Sequence, residues 1–212
     1  MIDCDDSLAG VLAEPDLEPS AGVDAHVTRS TGSLQQRLAD LLCQLGPVLW
    51  LERPLPRAGG TPLPGPGALY APDLPAFGAC ARLDAHVTMT TAGPREWLCL
   101  CDAQARCVAR LFLLPDSDCL AWDQMLDACG LVPVHGAAER RRNACDALLR
   151  SLRARGNLAW RARVLRFRMR HRSWRRELTA EAPLRLSLLG HELASHITRD
   201  EGAEWVSAFR LE

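Results

Sequence analysis

The sequence predicts an α+β fold, an antiparallel β-sheet flanked by helices. Three observations carry this. Residues 80–90 and 94–113 alternate apolar and polar side chains, which is the period of a strand. Residues 160–174 do the same, with arginine as the alternating partner. Residues 33–45 and 119–129 carry apolar groups at the spacing of a helix with one buried face.

Taken in order, residues 1–30 are acidic and aperiodic, so a poorly ordered segment is expected ahead of a single domain over 31–212. Ser33 and Gln36 have capping-box spacing, and Leu34, Leu38, Leu41, Leu42 and Leu45 form the buried stripe of the first helix. Gly46 and Pro47 end it, and Val48 to Arg53 reads as a strand. Residues 54–78 are rich in proline and glycine and predict a long loop. In the next strand Ala81, Leu83, Ala85, Val87 and Met89 share an apolar face, opposite Arg82, Asp84, His86 and Thr88. A hairpin follows. Trp97, Cys99 and Cys101 share one face of its first strand, and Cys107, Ala109, Leu111 and Leu113 one face of its second, with Asp102 to Arg106 as the turn.

Asp116 or Ser117 is expected to cap the helix that carries Trp122, Met125, Leu126 and Cys129, with Gly130 as its stop. Another helix is predicted over 138–155. In the arginine-rich strand Leu165, Phe167, Met169 and His171 face one way, and Arg166, Arg168, Arg170 and Arg172 the other. Pro183 leads into a helix with Leu189, Leu193 and Ile197 inward, and Trp205 to Leu211 predicts a short last strand.

Composition excludes more than it assigns. The 212 residues are 48% hydrophobic, enough for one core. Net charge is -1, so nothing draws the whole chain to nucleic acid. All 25 basic residues are arginine, and those between Arg140 and Arg176 balance an acidic N-terminus. The nine cysteines form no CxxC pair and fall mostly at apolar positions, which predicts reduced cysteines used as small hydrophobes and no zinc site. The N-terminus lacks the basic-then-apolar order of a signal peptide, and no apolar run is long enough to span a membrane. A soluble, cytoplasmic protein is expected. No nucleophile motif, phosphate loop or dinucleotide fingerprint is present.

The leucine-rich helix, then LGPVLWLER, a strand at 80–90, and WLCLCDAQARCVARLFLLPDSDCLAWDQML resemble the cytoplasmic haem-utilisation family of haemin-degrading and haem-trafficking proteins (HemS/ChuX type). The likeness covers roughly residues 33–130, a single half of the large tandem members. Arg53 falls on the family's strand-end arginine, Asp102 on its turn aspartate, and Asp116, Ser117 and Asp118 on its helix-capping triplet. The family's turn glycine is replaced by Ala105 or Gln104, and its histidine-bearing segment by the proline-glycine loop. The resemblance implies a haem-utilisation-like fold, haem as cofactor and partner, and pairing of small members as homodimers.

Haem needs an axial ligand, cations near its propionates and an apolar slot. His86 is the candidate ligand to the iron, with Arg82 beside it on the same face. Arg53, Tyr70 and His171 complete the candidate haem-binding set. Each has a plainer reading: His86 on a solvated strand face, Tyr70 packing its own loop, His171 in an apolar row. His26, His191 and His196 rank lower. The arginine row from 161 to 176, interleaved with Trp160, Phe167 and Trp174, offers a nucleic-acid backbone surface, against the plainer reading of a charged edge strand. The expectation is a cytoplasmic haem-binding or haem-trafficking protein of haem iron acquisition, a carrier before an enzyme; any catalysis would be haem degradation. The alternatives are a non-catalytic interaction module that has lost haem, or nucleic-acid binding through the arginines.

Overall fold

The computed structural model describes residues 31–54, 69–90, 93–135, 160–172 and 175–206. In chain order the elements are α1 (Thr31–Leu42), β1 (Pro47–Glu52), β2 (Leu69–Tyr70), α2 (Pro75–Gly78), β3 (Arg82–Thr90), β4 (Gly93–Cys101), β5 (Cys107–Phe112), α3 (Cys119–Cys129), β6 (Val134–His135), β7 (Arg161–Arg172), β8 (Arg175–Glu181), α4 (Leu188–Asp200) and β9 (Glu204–Trp205). Among the described residues the nine strands form one sheet, ordered β2-β8-β7-β1-β5-β4-β3-β6, with β9 beside the start of β7. Every long ladder is antiparallel, and only the two-residue strands pair in parallel. The α+β class and the antiparallel sheet are as expected.

Both faces of the sheet are covered. Val48 and Trp50 of β1 pack with Leu38 and Leu42 of α1 and Trp122 and Met125 of α3. Leu49 and Leu51, the alternate residues, pack with Ala194 and Ile197 of α4. Val48 to Leu51 are all buried, which is why this run is continuously apolar instead of alternating. Each large side chain so buried contributes roughly 1.5–3 kcal/mol. Polar contacts tie these layers together. The Trp122 indole donates to Glu96 Oε2 at 2.8 Å, and Arg163 donates to Glu52 Oε1 at 3.0 Å and to the Asp73 carbonyl at 2.8 Å.

Several expectations are corrected. The cap of α3 is Asp118, whose carboxylate accepts from Ala121 N at 2.9 Å. Ser117 instead donates to the Pro47 carbonyl at 2.5 Å, and Asp116 holds Ser187 at the head of α4. A bulge between Leu100 and Cys101 puts Cys107 opposite Cys101. Cys107 therefore packs in the α4 layer, while Ala109, Leu111 and Leu113 belong to the α1/α3 layer. α4 does not bury Leu189, which is 62% exposed; its inward row is Gly190, Ala194, Ile197 and Thr198. Small residues there let the helix approach the sheet closely. Met89, at the tip of the β3–β4 hairpin, is exposed.

The predicted loop contains two short elements, β2 and α2, and residues 55–68 lie outside the described residues. So do residues 1–30, residues 136–159 with the predicted helix over 138–155, and residues 207–212 with most of the predicted last strand. β8 occupies residues where no strand was expected. Among the described residues no helix is long and apolar enough to cross a membrane.

Candidate functional site

β3 and β4 pair residue by residue, which places His86 opposite Trp97 on the α4 side of the sheet. The two rings stack, 5.2 Å between centroids at 14°. His86 is half-buried, and Trp97 is buried and stacks in turn on Phe112 at 5.7 Å. Trp97 Nε1 is buried and has no hydrogen-bond partner among the described residues. Beyond His86 lies only the two-residue β6, whose Val134 is its register partner and is exposed. The imidazole thus stands at the rim of the sheet, with an aromatic slab beneath it and an aliphatic side chain beside it.

Two residues before Trp97 on the same face, Arg95 reaches α4. Arg95 Nη2 lies 2.9 Å from Asp200 Oδ2 and 3.4 Å from His196 Nδ1, and His196 Nδ1 lies 3.1 Å from Asp200 Oδ2. This cluster neighbours the His86–Trp97 pair. Sequence spacing gave no warning of it, because α4 is brought over β4 by the fold alone.

The other expected site residues are dispersed. Arg82 shares the His86 face four residues away, roughly 13 Å along the strand. It is paired with Asp84 at 2.8 Å, and that carboxylate raises the guanidinium pKa. Asp84 also accepts a weak contact from the Cys101 thiol at 3.6 Å. Arg53 lies over the Trp160 ring at 4.8 Å, and Arg110 over the same ring at 5.3 Å. Two guanidiniums on one indole make Arg53 part of the packing under α4.

Tyr70 sits on β2, six strand steps from β3 and therefore about 29 Å away at ordinary strand spacing. Its ring carries Arg175 at 4.8 Å. His171 is exposed near the far end of β7, in the row of Phe167 and Met169 that faces the other layer. One ligand the size of haem cannot touch His86, Tyr70 and His171 together.

The arginine row of β7 is partly neutralised. Arg168 Nε and Arg170 Nη2 each lie 2.8 Å from a different oxygen of Glu181. The hydrogen bond from Arg170 holds that carboxyl below its usual range, against the effect of burial.

The three thiols of the hairpin, Cys99, Cys101 and Cys107, are free and sit together in the α4 layer. Contact with Cys107 and burial push the Cys101 thiol far up. Cys107 rises to about 12, because contact with Cys99 and burial outweigh the opposing contact with Cys101. Cys101 and Cys107, so protonated, are poor ligands and poor nucleophiles. Among the described residues no group of three histidine, cysteine or acidic side chains is placed to hold a metal ion. A single axial ligand does not require one.

Comparison with protein-family models, with curated proteins and with solved structures finds no match to this chain.

Proposed function

We propose that this chain binds haem through His86 and passes it on in cytoplasmic haem iron acquisition, as a carrier and not as an enzyme. The observation that carries this reading is the His86–Trp97 stack. An accessible imidazole lies on a buried indole whose N–H has no partner, beside exposed Val134. Such a rim supplies one nitrogen ligand held by the buried indole behind it and an exposed aliphatic side chain beside it, two features that a porphyrin site requires. Arg82 and Arg95 flank the stack as cations for the propionates, each sharing its charge with an aspartate.

The resemblance of residues 33–130 to the haem-utilisation family supports the same reading, as does the order of α1, β1, hairpin and capped α3. Bound haem would supply redox-active iron, so oxygen chemistry would belong to the cofactor. Homodimer formation comes from the resemblance alone.

The test is titration of the purified chain with ferric haem, followed by its absorbance. One haem per chain is expected, with a saturable Soret shift that weakens about tenfold or more in His86→Ala, the loss of one coordinate bond. A saturable shift unaffected by His86→Ala would keep haem and reject the ligand. No saturation would reject the function and leave an interaction module.

A further inference from the structure

We propose that the pocket where β8 leaves the sheet binds a small anionic amphiphile, a carboxylate or phosphate monoester head on an apolar body. The sheet register builds its floor. Arg166 pairs with Glu181 of β8 on one side and with Pro47 of β1 on the other, so these residues form a row across three strands. The chain then turns through 182–185 toward α4 and adds Leu184 and Arg185 to the open rim of the pocket, while Arg168 also lines it. The space is about 540 Å³, within the usual range for a small-molecule site.

Charge is left over here. Glu181 is the one acidic residue among the lining groups, and both of its oxygens are engaged, by Arg168 and Arg170. Among the described residues Arg166 and Arg185 have neither an ion pair nor a side-chain hydrogen bond. Two uncommitted guanidiniums in one pocket offer paired N–H donors to a flat or tetrahedral oxyanion. The opposite wall is apolar. Leu184 supplies it together with Pro183, and Leu184 is 97% exposed. Leu188 and Leu189, just beyond on α4, are exposed as well. An exposed leucine in the same lining as two arginines fits a ligand with an acidic end and a greasy one.

This site is separate from His86. Four strand steps divide β7 from β3, about 19 Å at ordinary spacing.

The experiment titrates the full chain with 4-phenylbutyrate, phenyl phosphate and inorganic phosphate by calorimetry, with arginine Nε–H resonances as the site readout. One aryl acid is expected to saturate at one per chain, and whichever binds tighter identifies the head group. Arg166→Gln and Arg185→Gln should each weaken it about tenfold, the loss of one charge-assisted contact. Leu184→Ser should weaken the aryl probes but not inorganic phosphate. His86→Ala should change nothing. Both arginines line an open pocket, so thermal melts of the variants should match the parent. Failure of every probe to saturate, or affinity unchanged from the parent in both arginine variants, would overturn the proposal. Displacement of the aryl probe by an oligouridylate whose binding falls steeply with salt would also overturn it, and would assign the arginine face to nucleic acid.

Discussion

Asp102 shows how much a single side chain can organise. Its Oδ1 accepts from Gln104 N at 3.0 Å and Arg106 N at 2.9 Å, and its Oδ2 from Arg106 Nε at 2.8 Å. Burial alone would raise its pKa, but the Arg106 backbone and side-chain donors and the Gln104 N–H outweigh it, and the carboxyl titrates below its ordinary 3.8. A depressed folded value means stabilisation that is fully present above the unfolded value and lost as pH falls through the folded one. Asp102→Asn is therefore expected to be less stable than the parent at neutral pH, with the gap closing in acid as pH falls through the depressed folded value. Denaturant melts across that range check it, and a gap that widens in acid would contradict it.

Three residues on, Ala105 has φ 57°, a left-handed conformation that costs a residue with a Cβ roughly 1–2 kcal/mol. The chain needs that conformation because a three-residue hairpin loop ends in it. Of the turn residues Gln104 and Ala105, only Ala105 has the positive φ that favours glycine. Ala105→Gly should gain about 1 kcal/mol in chemical denaturation. An unchanged or lowered midpoint would show the strain to be absent.

At the scale of elements, Asp116, Ser117 and Asp118 join four of them. Asp116 accepts from Ser187 N and Oγ, both at 2.8 Å, and Ser187 in turn caps α4 by accepting from Gly190 N at 3.0 Å. Ser117 ties the strand exit to β1, and Asp118 caps α3. Gly190 is required because a Cβ there would overlap the Asp116 carboxylate. Gly190→Ala and Asp116→Ala are each expected to cost about 1 kcal/mol, the value of a helix cap. The double variant should cost less than the sum, since the two changes break one contact. Additive losses would show the carboxylate and the glycine to be independent.

The triplet was visible in sequence as a capping signal, but its division of labour was not, because two of the three partners are distant in the chain. β8 was invisible for another reason. RRELTAE buries only Leu178 and Thr179, so its pattern carries too little apolar signal. β2 and β6, two residues each, have no periodicity to detect.

Over the whole molecule, strands with a clean period of two or a continuous apolar run were legible, and so were α1 and α3. Strand order was not, since it depends on pairings between distant segments. That is also why the candidate site scattered. His86, Tyr70 and His171 are all sound ligand types, but the order β2-β8-β7-β1-β5-β4-β3 sets Tyr70 and His171 at the opposite side of the sheet from His86, and the alternation of β7 turns His171 toward the other layer. Arg95 and His196 meet for the same non-local reason.

The central place of β1 also governs how the chain reaches this structure. β3, β4 and β5 form a local meander, and β7 and β8 a local hairpin; both can close quickly. β1 precedes all of them, yet its second edge pairs with β7, Pro47 against Arg166. A nascent chain must therefore hold a largely apolar strand with an open edge until β7 has been made. Docking of the β7–β8 hairpin onto β1 joins segments farther apart in sequence than any other long ladder here, and until it forms the apolar edge of β1 is open to wrong pairing.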